Sequence, residues 1–239
     1  MKLLDHSFET PEENLACDEA LLDACESGGP EVLRFWSSKR WFVVLGHGGH
    51  VSREVKLEVS GPEGIPILRR CSGGGTVLQG PGCLNYALVL SIRGPGPLTT
   101  VTGTNRAIME RLREALAPLV GGDIRVQGIT DLTVGDLKFS GNAQRRKREA
   151  LLFHGTFLLN LDLTQVTRYL AAPQRQPDYR QERPHGSFLC NLGLEQKQVT
   201  AALQQAWGAS DPFTALPDEA VSRLVRERYG EPAWNQKFY

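Results

Sequence analysis

The run Arg69-Arg70-Cys71-Ser72-Gly73-Gly74-Gly75-Thr76 stands between two strand-like stretches, 65–68 and 84–90. Three consecutive glycines let a backbone take left-handed angles and come close to a ligand. Two adjacent arginines supply permanent charge and forked donors that match carboxylate or phosphate. The pattern predicts a loop that holds an anionic small molecule, with a plain tight turn as the competing reading.

A chain of 239 residues suffices for one large domain, or for one domain with a small appendage. Apolar residues make up 41%, enough for a substantial core, and the charges cancel to zero, which argues against bulk attraction to nucleic acid or to a membrane. No apolar run has the length of a membrane span. The first residues turn polar at once and lack a signal-peptide core. Cys17, Cys25, Cys71, Cys83 and Cys190 are odd in number and form no CxxC pair. That is the pattern of reduced thiols in the cytoplasm, not of a disulfide framework.

Local signals outline the elements. Thr10, Pro11 and Glu13 form a capping box with proline at the first helical position, and Gly28-Gly29 stops the helix they start. Strands are expected at 31–37 and 41–45, the second broken by Gly46-His47-Gly48-Gly49-His50. Ile108, Leu112, Leu116 and Leu119 lie at helical spacing and predict a helix over 103–119. Gly135-Asp136 separates short runs at 131–134 and 137–140 as a tight hairpin, and 151–161 reads as a long apolar strand. The Pro-, Gln- and Arg-rich stretch 171–186 is expected to be irregular, and short helices near 195–207 and 216–228 close the chain. Hairpins with segregated helices argue for an α+β fold over a doubly wound parallel one.

Two further stretches bear on chemistry. Lys138 stands in a strand directly before Phe139-Ser140-Gly141-Asn142, where its ammonium is able to reach a pocket floored by the glycine. Such a charge suits an oxyanion or phosphate that becomes more negative in a transition state; the alternative is a solvated lysine on an exposed strand face. His154-Gly155 interrupts an otherwise apolar strand, and glycine in that setting marks a close backbone approach or a bulge. The histidine is either a ligand contact or a satisfied core residue.

Together these stretches resemble the lipoate–protein ligase family, whose catalytic domain is shared with biotin ligases. The carriers of the resemblance are Arg69 to Val77, Gly82-Cys83-Leu84-Asn85-Tyr86, Asp131-Leu132, Lys138 to Gln144 and His154-Gly155-Thr156, in the family's order and spacing. The resemblance implies a mixed, largely antiparallel β-sheet flanked by helices, related to class II aminoacyl-tRNA synthetases. It implies a catalytic domain over 1–192 and a short helical extension over 193–239. The implied reaction joins lipoate to the α-phosphate of ATP with loss of pyrophosphate, then passes the acyl group to a lysine of a lipoyl-carrier protein. By the same resemblance Lys138 is the catalytic lysine, bridging the acyl carbonyl oxygen and the α-phosphate. Arg70 with Ser72, Gly73, Gly74 and Gly75 would hold the carboxylate and phosphate, Asn85 and Asp131 would lie near nucleotide and metal, and His154 with Gly155 would line the acyl tunnel. Mg2+ would neutralise the triphosphate, without a dedicated protein cage. The carrier would be an E2 subunit, a glycine-cleavage H-type protein or another lipoate-binding protein.

The departures matter too. Where the family usually has Gly, a basic residue and Gln-Asn, this sequence has Gly46-His47-Gly48-Gly49-His50. His47 and His50 are an i, i+3 pair with the spacing to bind metal, but no cysteine stands close by and no metal is assigned to them. The 193–239 segment is too short for the family's accessory domain, which leaves a compact form acting alone, a separate accessory chain, or loss of one half-reaction. A lipoyl or octanoyl transferase of the same fold would need an ionisable thiol. The regions where such transferases carry it, here 127–132 and 171–174, hold no cysteine, although Cys71, Cys83 and Cys190 keep that reading open. A non-catalytic lipoate-binding or assembly protein is disfavoured by the intact glycine loop and Lys138. Arg145-Arg146-Lys147-Arg148 is either a solvated turn or a run that steers an acidic carrier.

Overall fold

The stretches 84–90 and 151–158 carry runs of consecutive apolar residues instead of alternating ones, which points to strands covered on both faces. A computed structural model describes residues 1–239. In chain order it contains β1 (Lys2–Asp5), α1 (Pro11–Glu26), β2 (Val32–Trp36), β3 (Phe42–Leu45), α2 (Val51–Glu54), α3 (Leu57–Ser60), β4 (Ile67–Arg69), β5 (Val77–Gln79) and β6 (Cys83–Ser91). Then follow α4 (Val101–Leu116), β7 (Ile124–Gln127), β8 (Asp131–Val134), β9 (Leu137–Arg146), β10 (Ala150–Leu158), α5 (Leu163–Tyr169), α6 (His185–Phe188), α7 (Gln196–Trp207), β11 (Asp211–Pro212), α8 (Asp218–Leu224) and α9 (Pro232–Asn235).

Eight strands form the main sheet in the order β11-β1-β2-β6-β10-β9-β8-β7. β1 runs parallel to β2 and to β11; every other pair is antiparallel. A second sheet, β4-β3-β5, pairs β3 parallel with β4 and antiparallel with β5. The fold is α+β with a mixed, mostly antiparallel sheet flanked by helices.

Burial follows the pleat. Leu84, Tyr86, Leu88 and Leu90 of β6 and Leu151, Phe153 and Phe157 of β10 meet α4 and α7 on one face, together with Ile108, Met109, Leu112, Leu203 and Trp207. Ala87, Val89, Ala150 and Leu152 meet α1 on the other, with Leu15, Leu21 and Leu22. A third core joins the small sheet to α5 through Val43, Leu45, Leu78, Val166 and Tyr169. No helix is long and apolar enough to cross a membrane.

Thr10 accepts from the Glu13 N–H and Glu13 returns to the Thr10 N–H, so the expected capping box starts α1. The helix expected over 103–119 is α4, begun two residues earlier because Thr100 caps it through the Gly103 N–H. The hairpin at Gly135-Asp136 is β8–β9, but β9 runs on through Arg146, because nine cross-strand partners in β6 make β10 a template for a long neighbour. In the 216–228 stretch α8 ends at Leu224 and a π-turn over Val225–Tyr229 follows. β1, β11, α5 and α9 have no counterpart in the sequence reading; they are short and depend on partners far along the chain.

The 193–239 segment contributes to both main cores: Val199, Leu203 and Trp207 on the α4 face, Val221, Leu224 and Tyr229 on the α1 face. Leu203→Ala is therefore expected to destabilise the whole protein by about 2–5 kcal/mol in urea unfolding, with one cooperative transition. An unchanged main transition would show instead that this segment folds apart from the rest.

Candidate active site

The register of four neighbouring strands builds the site's floor. Directly opposed residues share a face, so Ala143, His154, Ala87 and Arg34 form one row under α1, and Gly141, Thr156, Asn85 and Trp36 form the next. Small residues at 141, 143 and 87 keep the floor low between polar neighbours.

Above it lies the glycine loop. Arg69 and Arg70 are both buried, and neither has a carboxylate within ion-pair distance. Arg69 donates to the carbonyls of Gly46, His47, Gly49, Trp234 and Asn235 at 2.7–3.1 Å. Arg70 turns back on its own loop, reaching the carbonyls of Gly73 at 2.6 Å and Gly75 at 2.9 Å and the Ser72 hydroxyl at 3.1 Å. Burial pulls the Arg70 guanidinium down to about 10, so it stays charged at neutral pH. The carbonyls of Gly73 and Gly75 are thus consumed, while the N–H groups of Gly73, Gly74 and Gly75 donate to nothing in the chain. Free amide donors backed by two buried cations without counter-charges make an anion-binding concavity.

The loop is fastened to the floor through Ser72. Its hydroxyl lies 2.6 Å from His154 Nε2, and His154 Nδ1 lies 3.2 Å from Asp18 of α1. Asp18 pairs in turn with Arg34, whose guanidinium also donates to Asn14. Burial by itself would raise the Asp18 carboxyl, but Arg34 and the His154 contact outweigh it and hold the carboxyl below its ordinary range. Gly155 is required because a β-carbon there would stand 1.8 Å from Asn142 Oδ1, the atom that accepts from the Tyr86 hydroxyl at 2.6 Å.

Beside the loop, over Gly141, Lys138 Nζ sits 2.8 Å from Asp131 Oδ1, and Tyr179 donates to Asp131 Oδ2 at 2.7 Å. A bulge between Leu132 and Thr133 shifts the β8–β9 register here, and the lysine folds over Gly141, 2.8 Å from where a β-carbon would stand. The irregular stretch 171–186 carries Tyr179 and covers this end, held by Arg183 on the carbonyls of Asp136 and Tyr179. Cys190 donates its N–H to the Lys138 carbonyl.

Among the residues singled out in the sequence, Ser72–Gly75 and His154 gather over the floor beside Ala143, Lys138 and Asp131 stand over Gly141 next to it, Asn85 joins the floor on β6 through its bond from Thr156 at 2.6 Å, and Gly155 faces the α4 side opposite Tyr86 and Asn142. Asp18, Arg34, Gln79 and Tyr179 escaped that reading. Asp18 did leave a signal, an acid on the face of α1 that also carries Leu15 and Leu22. His47 packs edge-on against Trp234 and His50 lies tilted against Phe238 of the C-terminal segment, and burial with nearby Lys237 and Arg145 lowers the His47 imidazole. Of the basic run, Arg146 is tied to Thr104 and the Leu98 carbonyl and Lys147 to Asp23, whereas Arg145 and Arg148 are exposed.

Residues 10–205 match the lipoyl protein ligase A/B catalytic domain. The chain belongs to that family. Relatives within and around it fall into two activities. The lipoate-protein ligase A subunit 1 of Thermoplasma acidophilum is 29% identical over 93% of this chain and 90% of its own. The octanoyltransferase LipM of Carboxydothermus hydrogenoformans is also 29% identical, over 99% and 98%. A crystal structure of lipoate-protein ligase A bound with ATP superposes with a TM-score of 0.85 over 100% of this chain and 99% of that one, at 24% identity, which establishes the shared fold.

For a lipoyl ligase or transferase the state of the thiols is decisive. Burial raises Cys17, Cys71 and Cys83 to about 12 and lifts Cys25 and Cys190 as well, so none is a ready thiolate.

The buried Asp18–Arg34 pair gives this family member a measurable signature. Because the folded Asp18 pKa is depressed, its stabilisation is complete above about pH 4 and is lost as pH falls through the folded value. Asp18→Asn strands Arg34 and is expected to cost about 3–5 kcal/mol at neutral pH in denaturant unfolding, with the gap to the wild type closing in acid. A pH-independent gap would contradict this assignment.

Proposed function

We propose that this protein is an ATP-dependent lipoate–protein ligase. The observation that carries the reading is the pairing of a free-amide glycine loop, backed by Arg69 and Arg70 and standing over Ala143, with a lysine ammonium over Gly141, two residues away on β9. Both features answer negative charge, and adenylation creates it at both places.

In the first step a lipoate carboxylate oxygen attacks the α-phosphorus of ATP; the new O–P bond forms as the bond to pyrophosphate breaks. Lys138 leaves Asp131 to stabilise the acyl carbonyl oxygen and the α-phosphate, while the Gly73–Gly75 amides hold the anionic centre. Arg70 serves by fixing the loop, since its donors face the loop's own carbonyls. In the second step the neutral amine of a carrier lysine attacks the acyl carbon, the C–N bond forms and AMP leaves. Mg2+ would enter with the triphosphate; Asp131 fits it, because magnesium takes one or two carboxylates and keeps phosphate and water ligands.

The acceptor is a lipoyl-carrier protein, and Arg145 and Arg148 steer it if it is acidic. A relative described as subunit 1 supports an additional accessory chain. Five free cysteines accord with a cytoplasmic setting.

The second reading, transfer through a cysteine thioester without ATP, draws on the octanoyltransferase likeness and on Cys190 beside Lys138. The raised thiols weigh against it. Lipoate-dependent release of pyrophosphate from Mg-ATP is expected, falling about a hundredfold or more in Lys138→Ala. Acyl transfer from a carrier thioester without ATP, abolished by Cys190→Ser, would replace the ligase reading with the transferase one. Reversing Arg145 and Arg148 to glutamate is expected to slow carrier modification and flatten its salt dependence while leaving pyrophosphate release intact; carrier rates indifferent to both charges would remove the steering role.

A further inference from the structure

Arg69 is the last residue of β4, and β4 is an edge strand of the small sheet. The β3 side is served by the next residue, Arg70, whose N–H donates to the Leu45 carbonyl at 3.0 Å. An edge strand leaves its outer backbone groups to water or to a further strand. Here two side chains of α9 take them: Asn235 Oδ1 accepts from the Arg69 N–H at 2.9 Å, and Trp234 Nε1 donates to the Arg69 carbonyl at 2.8 Å. The backbone carbonyls of the same two residues accept from Arg69 Nε and Nη2, each at 3.0 Å. Arg69 is thus gripped through main chain and side chain alike. Asn235 is buried, and its Nδ2 donates to the Tyr229 carbonyl at 2.8 Å, which fixes the direction of its amide.

The grip is passed on to the glycine loop. Arg69 Nη1 holds the carbonyls of Gly46, His47 and Gly49, and the His47 N–H donates to the Ser72 carbonyl at 2.8 Å. Gly46 packs against Gly74 so closely that a β-carbon on it would stand 1.9 Å from the Gly74 carbonyl oxygen. α9 therefore shapes the loop from behind, without bonding to the amides of Gly73–Gly75. The chemistry of the grip matters as much as its geometry. The ordinary partner of a buried guanidinium is a carboxylate. Two acids of the surrounding elements are engaged elsewhere, Glu19 by Arg228 and Tyr229, and Glu54 by Thr76 and the His50 N–H. A neutral amide at 235 holds Arg69 without cancelling its charge.

We propose that Trp234 and Asn235 are positioning residues for nucleotide activation: they fix the Arg69 backbone and through it the anion-binding loop, and Asn235, being neutral, leaves the Arg69 charge to act on the phosphates. This rests on the ligase reading of the site and adds the C-terminal segment to its machinery.

The test is lipoate-dependent pyrophosphate release at varied Mg-ATP, with urea unfolding of the same samples. Trp234→Phe keeps an aromatic ring between His47 and Arg228 and deletes the N–H. It is expected to raise the KM for Mg-ATP about fivefold, the loss of one hydrogen bond that shapes the loop. Asn235→Asp keeps the acceptor and the shape but gives Arg69 a counter-charge, and is expected to raise that KM about thirtyfold. Both variants are expected to keep a cooperative unfolding transition. A KM equal to that of the wild type, with kcat lowered only in step with the folded fraction, would assign both residues to packing alone and overturn the proposal while the ligase reading stands. Absence of lipoate-dependent pyrophosphate release in the wild type would overturn the ligase reading, and this proposal with it.

Discussion

Two guanidiniums buried without carboxylates organise the functional half of this molecule. Each is satisfied by uncharged groups: Arg69 by the carbonyls of Gly46, His47, Gly49, Trp234 and Asn235, Arg70 by the carbonyls of Gly73 and Gly75 and the Ser72 hydroxyl. Three segments that share no sequence neighbourhood are thereby drawn to one point. Hydrogen bonds to neutral carbonyls solvate a cation but do not cancel it, and a buried charge left in that state favours any anion able to approach. Turning the carbonyls inward also turns the amides outward. The interaction that shapes the loop and the property that suits it to an anion are thus one arrangement.

The sheet supplies the rest through its two unlike faces. On the α4 side the pleat of β6 and β10 presents leucine, phenylalanine and tyrosine to an apolar core. On the α1 side the same strands present Asn85, His154 and Thr156 beside Ala87, Val89, Ala150 and Leu152, and α1 answers with Asp18. A two-sided burial that looks uniform in hydrophobicity is therefore divided into a packing face and a chemical face. The Asp18–Arg34 pair is what permits the second face to be buried, since each charge removes the other's desolvation burden only while both are present.

These features were unequally legible in the sequence. The capping box at Thr10, the 131–140 hairpin, the glycine loop, Lys138 and His154-Gly155 are encoded by neighbours a few residues apart, and local stereochemistry is enough to read them. β1 and β11 are short parallel partners whose pairing crosses most of the chain, so no local pattern announces them. The same holds for Tyr179 on Asp131 and for the C-terminal segment on Arg69: each contact joins residues tens or hundreds of positions apart. The basic run shows the converse. Read locally it is one charged patch, but tertiary contacts divide it into Arg146 and Lys147, which anchor β9, and Arg145 and Arg148, which face solvent.

A lipoate-protein ligase A subunit and an octanoyltransferase are equally identical to this chain, each at 29%. Identity alone does not separate them; the physical state of the groups around the lysine is the better guide. Thioester chemistry demands a thiol whose charged form is favoured by nearby cations or a helix terminus. Here the thiol nearest Lys138, Cys190, is directed at the Leu137 carbonyl at 3.6 Å and is raised by burial. Adenylation demands fixed positive charge with no internal partner to compete for it, and Arg69 and Arg70 supply that in the loop. Lys138 does have a partner, but Asp131 is shared with Tyr179, and a divalent ion on that carboxylate would loosen its hold on the ammonium. Under the ligase reading proposed above, nucleotide binding would itself release the lysine, a coupling that a nucleotide-free thioester route would leave without purpose.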